Sequence, residues 1–312
     1  MLYTHRPAKA ADFIQASEQL APWYRLPKED LATAWTGILS REGVWSLVIE
    51  EAESPHRPVS LSLSVFVSDR LADRMELGKY PHVGSAIVSR FLTKGDEPLP
   101  LERIRAAHWG DGLNLVSMHT LGLDVPIGGA STGLIGEMRA RVCGEALQGY
   151  NLRRCLREVY SPQALASFQS GGWRIRTDYS EFYGTPADAP SLDRPFLMGI
   201  NRTEAEDAHF GGARMASMFH RYPIRLSLRR VHRELLASAL EGLTDAELSA
   251  RLSLSPSAIK KRWASVYEHV EGLIPGLPPL SDRNDKTRGA ERRRHVLNYL
   301  REHPEEFRPL SD

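Results

Sequence analysis

Residues 227–270 constrain the fold of this chain more than any other stretch. Thr244 and Glu247 form a Thr-x-x-Glu capping box, in which each side chain satisfies a free backbone N–H at a helix start. Leu248 and Leu252 follow at i, i+4 and give that helix one apolar face. Ser253-Leu254-Ser255 then interrupts it. Ser255 is a good N-cap, and Pro256 suits the first position of the next helix. In that next helix Ile259, Trp263, Val266 and Val270 make one buried stripe. Ser257, Lys261, Ala264, Ser265 and Glu268 face away from the stripe, and Lys260 and Arg262 flank it. With the apolar-periodic stretch before Gly242, the pattern predicts three helices and a tight turn between the last two. A short capped helix, a turn and a helix with small and basic residues outward is a helix-turn-helix pattern.

On Gly242, Leu243, Thr244, Glu247, Leu252, Ser255, Ile259, Lys260, Val266 and Tyr267 the segment resembles the LuxR-type helix-turn-helix of bacterial transcription regulators. Two residues depart from that pattern. Ser253 stands where glycine is usual in the turn, and Ala258 where a threonine usually touches a phosphate. The resemblance implies double-stranded DNA as partner, bound by a homodimer because one short helix reads few bases. It implies DNA contacts from Ser255, Ser257, Lys260, Lys261, Arg262 and Ser265. A last predicted helix carries Arg292, Arg293 and Arg294 beside Val296, Leu297 and Leu300. That arginine run reads either as a phosphate-contacting patch or as a solvated helix end.

At 312 residues the chain is long enough for two domains. Its 42% apolar and 25% charged residues exclude disorder. A net charge of +1 does not by itself point to nucleic acid, but the charge is uneven. From Arg221 onward 17 Lys and Arg stand against 13 Asp and Glu, whereas the first 220 residues carry a net charge of −3. The two cysteines, Cys143 and Cys155, suggest neither a disulfide framework nor a metal pair. The start has no charged-then-apolar signal pattern, and no stretch approaches a membrane span of ~20 apolar residues. The expected location is cytoplasmic.

Residues 1–183 alternate helix-like and strand-like pieces. Val44–Glu50 and Val59–Val67 predict a hairpin, with Leu61, Leu63 and Val65 alternating against Ser60, Ser62 and Ser64. Pro55 and Pro58 mark its turn. Leu113–Thr120 and Leu152–Tyr160 read as strands, a Gly-rich loop at 128–133 leads into a helix, Pro162–Ser170 reads as a short helix, and Trp173–Tyr183 as a final strand or pair. Residues 184–222, opening on a Pro, Ala and Asp-rich run, read as a linker and docking segment. The helical domain then occupies 223–312.

The run from Ser161 through Ala164, Phe168 and Gly172-Trp173 is similar in spacing to the closing motif of the GNAT acetyltransferases. Arg6-Pro7-Ala8 followed by Asp12 looks like the opening of that fold, and Val125 to Ala130 like its pyrophosphate loop with the leading polar residue lost. The resemblance implies an α+β domain, a mixed sheet with flanking helices, over residues 1–183. It makes Gly128, Gly129, Ala130, Ser131 and Phe168 a candidate ligand or CoA loop. In the family a tyrosine protonates the leaving thiolate; Phe168 has no proton to give. The two departures favour a domain that binds an acyl-CoA or another small-molecule effector without turning it over, so no catalytic residue is assigned.

Other chemistries are excluded by spacing. Leu134 and Ile135 follow the Gly-rich loop where a P-loop needs Lys and Ser or Thr. No two histidines stand at i, i+4 around a Glu, and no Gly-x-Ser-x-Gly elbow occurs, so no metal ligands or hydrolase nucleophile are assigned. The sequence alone therefore reads as an α+β sensor domain joined to an all-α DNA-binding domain, a transcription regulator with no required cofactor. The rival reading is an acyl-CoA-dependent N-acyltransferase whose helical tail recruits it elsewhere.

Overall fold

The computed structural model describes residues 3–17, 20, 24, 26–41, 43–52, 58–122, 133–207, 217–277 and 288–308. The chain divides into two compact units, one up to residue 220 and one from residue 221.

In the first unit the order is β1 (Tyr3–Arg6), α1 (Ala10–Gln15), α2 (Lys28–Leu39), β2 (Trp45–Glu51), β3 (Pro58–Val67), α3 (Asp69–Glu76), α4 (Val83–Lys94), α5 (Leu101–Trp109) and β4 (Leu113–Gly122). There follow α6 (Leu134–Leu147), β5 (Leu152–Val159), α7 (Pro162–Ser170), β6 (Arg174–Thr177), α8 (Ser180–Tyr183), β7 (Phe196–Asn201) and α9 (Arg202–Asp207). The seven strands form one mixed sheet in the order β1-β2-β3-β4-β5-β7-β6. Every neighbouring pair is antiparallel but β4 and β5, which are parallel and need the crossover through α6.

Both sheet faces are covered. Leu61, Leu63, Val65 and Val67 of β3 point to one face, where Phe13, Leu31, Trp35, Ile38 and Ile87 close over them. Burying each such side chain contributes about 1.5–3 kcal/mol. On the other face Phe66, Leu115, Cys155 and Met198 pack with Leu147 of α6 and Trp173. Nearby, Ile135, Met138 and Val142 of α6 cover Leu47, Ile49 and Val59. Ser60, Ser62 and Ser64 are buried as well, so the serine side of the predicted hairpin is not a solvent face. The hairpin itself is present, with Val48 opposite Leu61.

The predicted linker is corrected. Residues 196–201 form β7, inserted between β5 and β6. Phe196, Leu197, Met198 and Ile200 are all buried. An apolar run that pairs on both sides cannot also be a tether. The Pro and Asp-rich stretch before it is a surface connection. Gly199 is required there, since a Cβ would lie 2.5 Å from Nε of Arg176.

The second unit contains α10 (Arg230–Leu240), α11 (Asp245–Leu252), α12 (Pro256–Leu273), α13 (Arg288–Glu302) and a 3-10 turn, Pro304–Phe307. Thr244 and Glu247 form the capping box, and Ser255 accepts from the Ala258 N–H at 3.2 Å. Ser253 takes left-handed backbone, φ 53°, to turn between α11 and α12. Ile259, Trp263, Val266 and Val270 are buried with Leu235, Leu248, Val296 and Leu300.

Candidate functional site

Among the described residues the sheet opens between β4 and β5. A register shift at Met118 separates Leu63–His119 pairing from Ser64–Ser117 pairing, so β4 bulges there against β3. A bulge bends its strand. The parallel pairing of β4 with β5 ends at the same level, with Ser117 beside Arg157. β4 continues to Gly122 on β3, and β5 continues to Val159 on β7. Among the described residues no β4–β5 pair follows, so the strands part at their carboxyl ends. Carboxyl ends of parallel strands are where ligands of open α/β sheets bind.

Glu158 is the first residue of β5 beyond that last pair, and it is 6% exposed. Its carboxylate accepts from the N–H groups of His82 at 2.7 Å and Val83 at 2.8 Å. These are the first donors of α4, so Glu158 caps the positive end of a helix to which it is not attached. It also accepts from the hydroxyls of Tyr160 at 2.7 Å and Tyr179 at 2.8 Å. The His82 ring stacks beside Tyr160, with centroids 6.2 Å apart. Burial pushes the Glu158 carboxyl up to about 7, against four donors that favour its ionised form. Burial raises Tyr160 and Tyr179 well above the ordinary phenol value, and the adjacent carboxylate adds to it. A buried carboxyl poised near neutrality and hydrogen-bonded to a half-buried phenol can accept and return a proton.

The segments around this cluster bring apolar surface. Lys79 pairs with Glu181 at 3.8 Å, joining the chain after α3 to α8. Leu77 and Phe182, on those two segments, are both exposed.

The predicted ligand loop, Gly128, Gly129, Ala130 and Ser131 with Val125, lies outside the described residues. Phe168 is half-buried on α7, edge-on to Trp173 with centroids 5.4 Å apart. The Arg157 guanidinium lies 3.9 Å over its ring. Arg157 and Glu158 are consecutive, so they project to opposite faces of the sheet. The sequence reading missed Glu158. The available signal was polar residues, Arg154 and Glu158, at alternate positions with Leu156 on a buried face.

In the second unit Ser255, Ser257, Lys260 and Lys261 are exposed on the first turns of α12. Ser265 is bonded to the His232 ring at 3.1 Å, and Arg262 faces Glu234 at 3.9 Å. Arg292 pairs with Glu271 at 3.2 Å and lies over Tyr267. Arg293 pairs with Asp245 at 2.8 Å, donates to the Leu243 carbonyl at 2.7 Å and lies over Trp263. These contacts hold α13 against α11 and α12, and they engage two of the three arginines within the unit.

No family model matches the chain, and no curated protein matches it. Solved structures similar over part of it include the following three. FeeM, an N-acyl amino acid synthase from uncultured soil microbes, is 7% identical with a TM-score of 0.37, covering 64% of this chain and 90% of that one. An uncharacterized protein from Bacillus halodurans is 12% identical with a TM-score of 0.37, covering 70% and 92%. The C-terminal condensation domain of Ebony, solved with beta-alanyl-dopamine, is 10% identical with a TM-score of 0.34, covering 64% and 99%. Each likeness is distant, and the fold rests on the sheet order and register given above.

The LuxR-type assignment is corrected, and with it transcription regulation as the reading of the chain. No family model matches residues 223–312. The physical reason is that the matched residues are mostly caps and core positions. Thr244, Glu247 and Ser255 cap helix starts, and Ile259 and Val266 bury their helix; such residues specify helices without specifying what the helices touch. No helix among the described residues is long and apolar enough to cross a membrane.

Proposed function

We propose that the sheet unit is an N-acyltransferase, joining the acyl group of a thioester to an amine. The observation that carries this reading is the opening between β4 and β5 with Glu158 at its edge. Beyond Met118, β4 offers backbone groups on the side that β5 has left. An extended ligand arm carrying amides can pair with such an edge as an added strand would. Acyl-CoA, or an acyl group on a carrier arm, has this chemistry.

Glu158, as the carboxylate, takes a proton from the attacking amine. The nitrogen adds to the thioester carbonyl, a C–N bond forms, and collapse breaks the C–S bond. The thiolate leaves with a proton handed on through Tyr160, whose hydroxyl is bonded to Glu158. The carboxylate is regenerated, and the products are an amide and a thiol. In this scheme Phe168 need supply no proton, because the acid lies on the other face of β5. The experiment is thiol release by the full chain from acetyl-CoA and longer acyl-CoAs, with amines and amino acids as acceptors. Release that requires both partners supports the reading. No release with any pair overturns it.

A further inference from the structure

Glu158 holds more donors than a base can keep while it works. Each of its oxygens accepts from one backbone N–H and one phenol: Oε1 from His82 and Tyr179, Oε2 from Val83 and Tyr160, at 2.7–2.8 Å. An ionised carboxyl has about four lone-pair sites, so these donors fill it. A proton then reaches the carboxylate only through a donor that hands over its own, which a backbone N–H does not do. Two donors remain. Tyr179 is fully buried, and its backbone is left-handed, φ 56°. Such backbone persists only where the surroundings hold it. Its N–H donates to Oγ1 of Thr177 at 2.9 Å, and its carbonyl accepts from the N–H groups of Phe182 and Tyr183 at 3.0 Å. Tyr160 is half-buried, beyond the level where β4 leaves β5. The His82 ring stacks beside it from the start of α4. Tyr183 of α8 disfavours charge on both phenols, and the Arg157 charge favours it on Tyr160.

We propose that Tyr160 is the catalytic residue through which Glu158 exchanges protons with the substrate, and that Tyr179 is a positioning residue that holds the carboxylate throughout. This division of labour rests on the acyl-transfer reading. As the amine nitrogen adds to the thioester carbonyl, its proton passes to Oη of Tyr160 and the Tyr160 proton passes to Glu158. On collapse the C–S bond breaks, Tyr160 gives a proton to the thiolate sulfur, and Glu158 returns one to Tyr160. Both transfers use the hydrogen bond already present between Tyr160 and Glu158. Three donors stay in place through the cycle, so the carboxylate keeps its position and most of its stabilisation. Losing the Tyr179 hydroxyl removes a donor that favours the ionised form, so Glu158 then ionises at higher pH.

The test compares Tyr160→Phe and Tyr179→Phe in the full chain, each shown to be folded by a thermal scan. Thiol release is followed against pH with acyl-CoAs and amines. Tyr160→Phe should lower the plateau of kcat/KM by about 10²–10⁴, and Tyr160→His, which can still carry a proton, should recover part of it. Tyr179→Phe should lose far less of the plateau and should move the rise upward by about 1–2 pH units. A second readout needs no turnover: the Glu158 carboxyl titration, followed by 13C NMR of chain labelled at the glutamate carboxyls and assigned with Glu158→Gln. It should move upward by the same amount in Tyr179→Phe. Release by Tyr160→Phe at the wild-type rate would overturn the relay and leave the acyl-transfer reading standing. A Tyr179→Phe variant that moves neither the rise nor the titration would remove Tyr179 as a positioning residue. No release by the wild type with any pair defeats the acyl-transfer reading and the relay with it, and the titration still decides Tyr179.

Discussion

Glu158 and Glu306 are two buried carboxylates, one in each unit, built to nearly the same plan. Glu306 accepts from the backbone N–H groups of Arg225 at 3.1 Å and Leu226 at 2.8 Å, and from the Tyr299 hydroxyl at 3.0 Å. Glu158 has two consecutive N–H donors and two tyrosines. Each stands beside left-handed backbone, at Ser227 for one and at His82 and Tyr179 for the other. A satisfied buried carboxylate is therefore not a site in itself. Glu306 closes a 3-10 turn onto the chain entering the helical unit, and nothing about it opens to a ligand. Glu158 stands where two paired strands part, with a second, half-buried phenol beside it. Placement separates the two, not bonding.

The largest expected difference is in rate. Glu158→Gln should lower kcat/KM for thiol release by about 10²–10⁴, the usual worth of a general base. Glu306→Gln should leave that rate unchanged. Equal losses in both variants would break the comparison. A larger stability effect belongs to the core on which Glu306 depends. Trp263 is 5% exposed between α12 and its neighbours. Trp263→Ala should destabilise the helical unit by about 3–5 kcal/mol, read as loss of its unfolding transition. Glu306→Gln comes next, at about 1–3 kcal/mol in the same transition, because two backbone donors lose a charged acceptor.

The smallest effect is a pH dependence of the helical unit. Burial lowers the His232 pKa, and His269, Arg229 and Arg262 add to that shift. The unfolded chain therefore binds the proton more readily than the folded one. The stability that His232 contributes is present above its ordinary value near 6.5 and is lost as pH falls through the lowered one. Melting of the helical unit from pH 7.5 to 5 should show this fall. His232→Gln, which can keep the Ser265 bond, should flatten it; an unchanged slope would remove His232 as the cause.

What the sequence revealed follows from range. The β2–β3 hairpin was legible because Leu61, Leu63 and Val65 alternate with serines and Pro58 opens the strand. The helix at Pro162–Ser170 was legible from its Ser161 cap. β7 was hidden because its partners, β5 and β6, lie on the far side of a Pro and Asp-rich stretch, and pairing of that kind leaves no local mark. Glu158 was hidden for the same reason: three of its four donors come from residues 82, 83 and 179. The helical unit teaches the converse. Its caps and stripe were local and could be read, yet they carried a family resemblance that the comparisons overturned.

The central claim is that Glu158 is the base of an acyl transfer. Its most direct test is the pH profile of kcat/KM for thiol release by the full chain, beside Glu158→Gln shown to be folded by a thermal scan. The carboxylate is the working form, so the wild-type rate should rise with pH and level off above about 7. The variant should be slow at every pH and lack that rise. A wild-type profile flat through neutrality, or a Glu158→Gln variant as fast as wild type, would contradict the account.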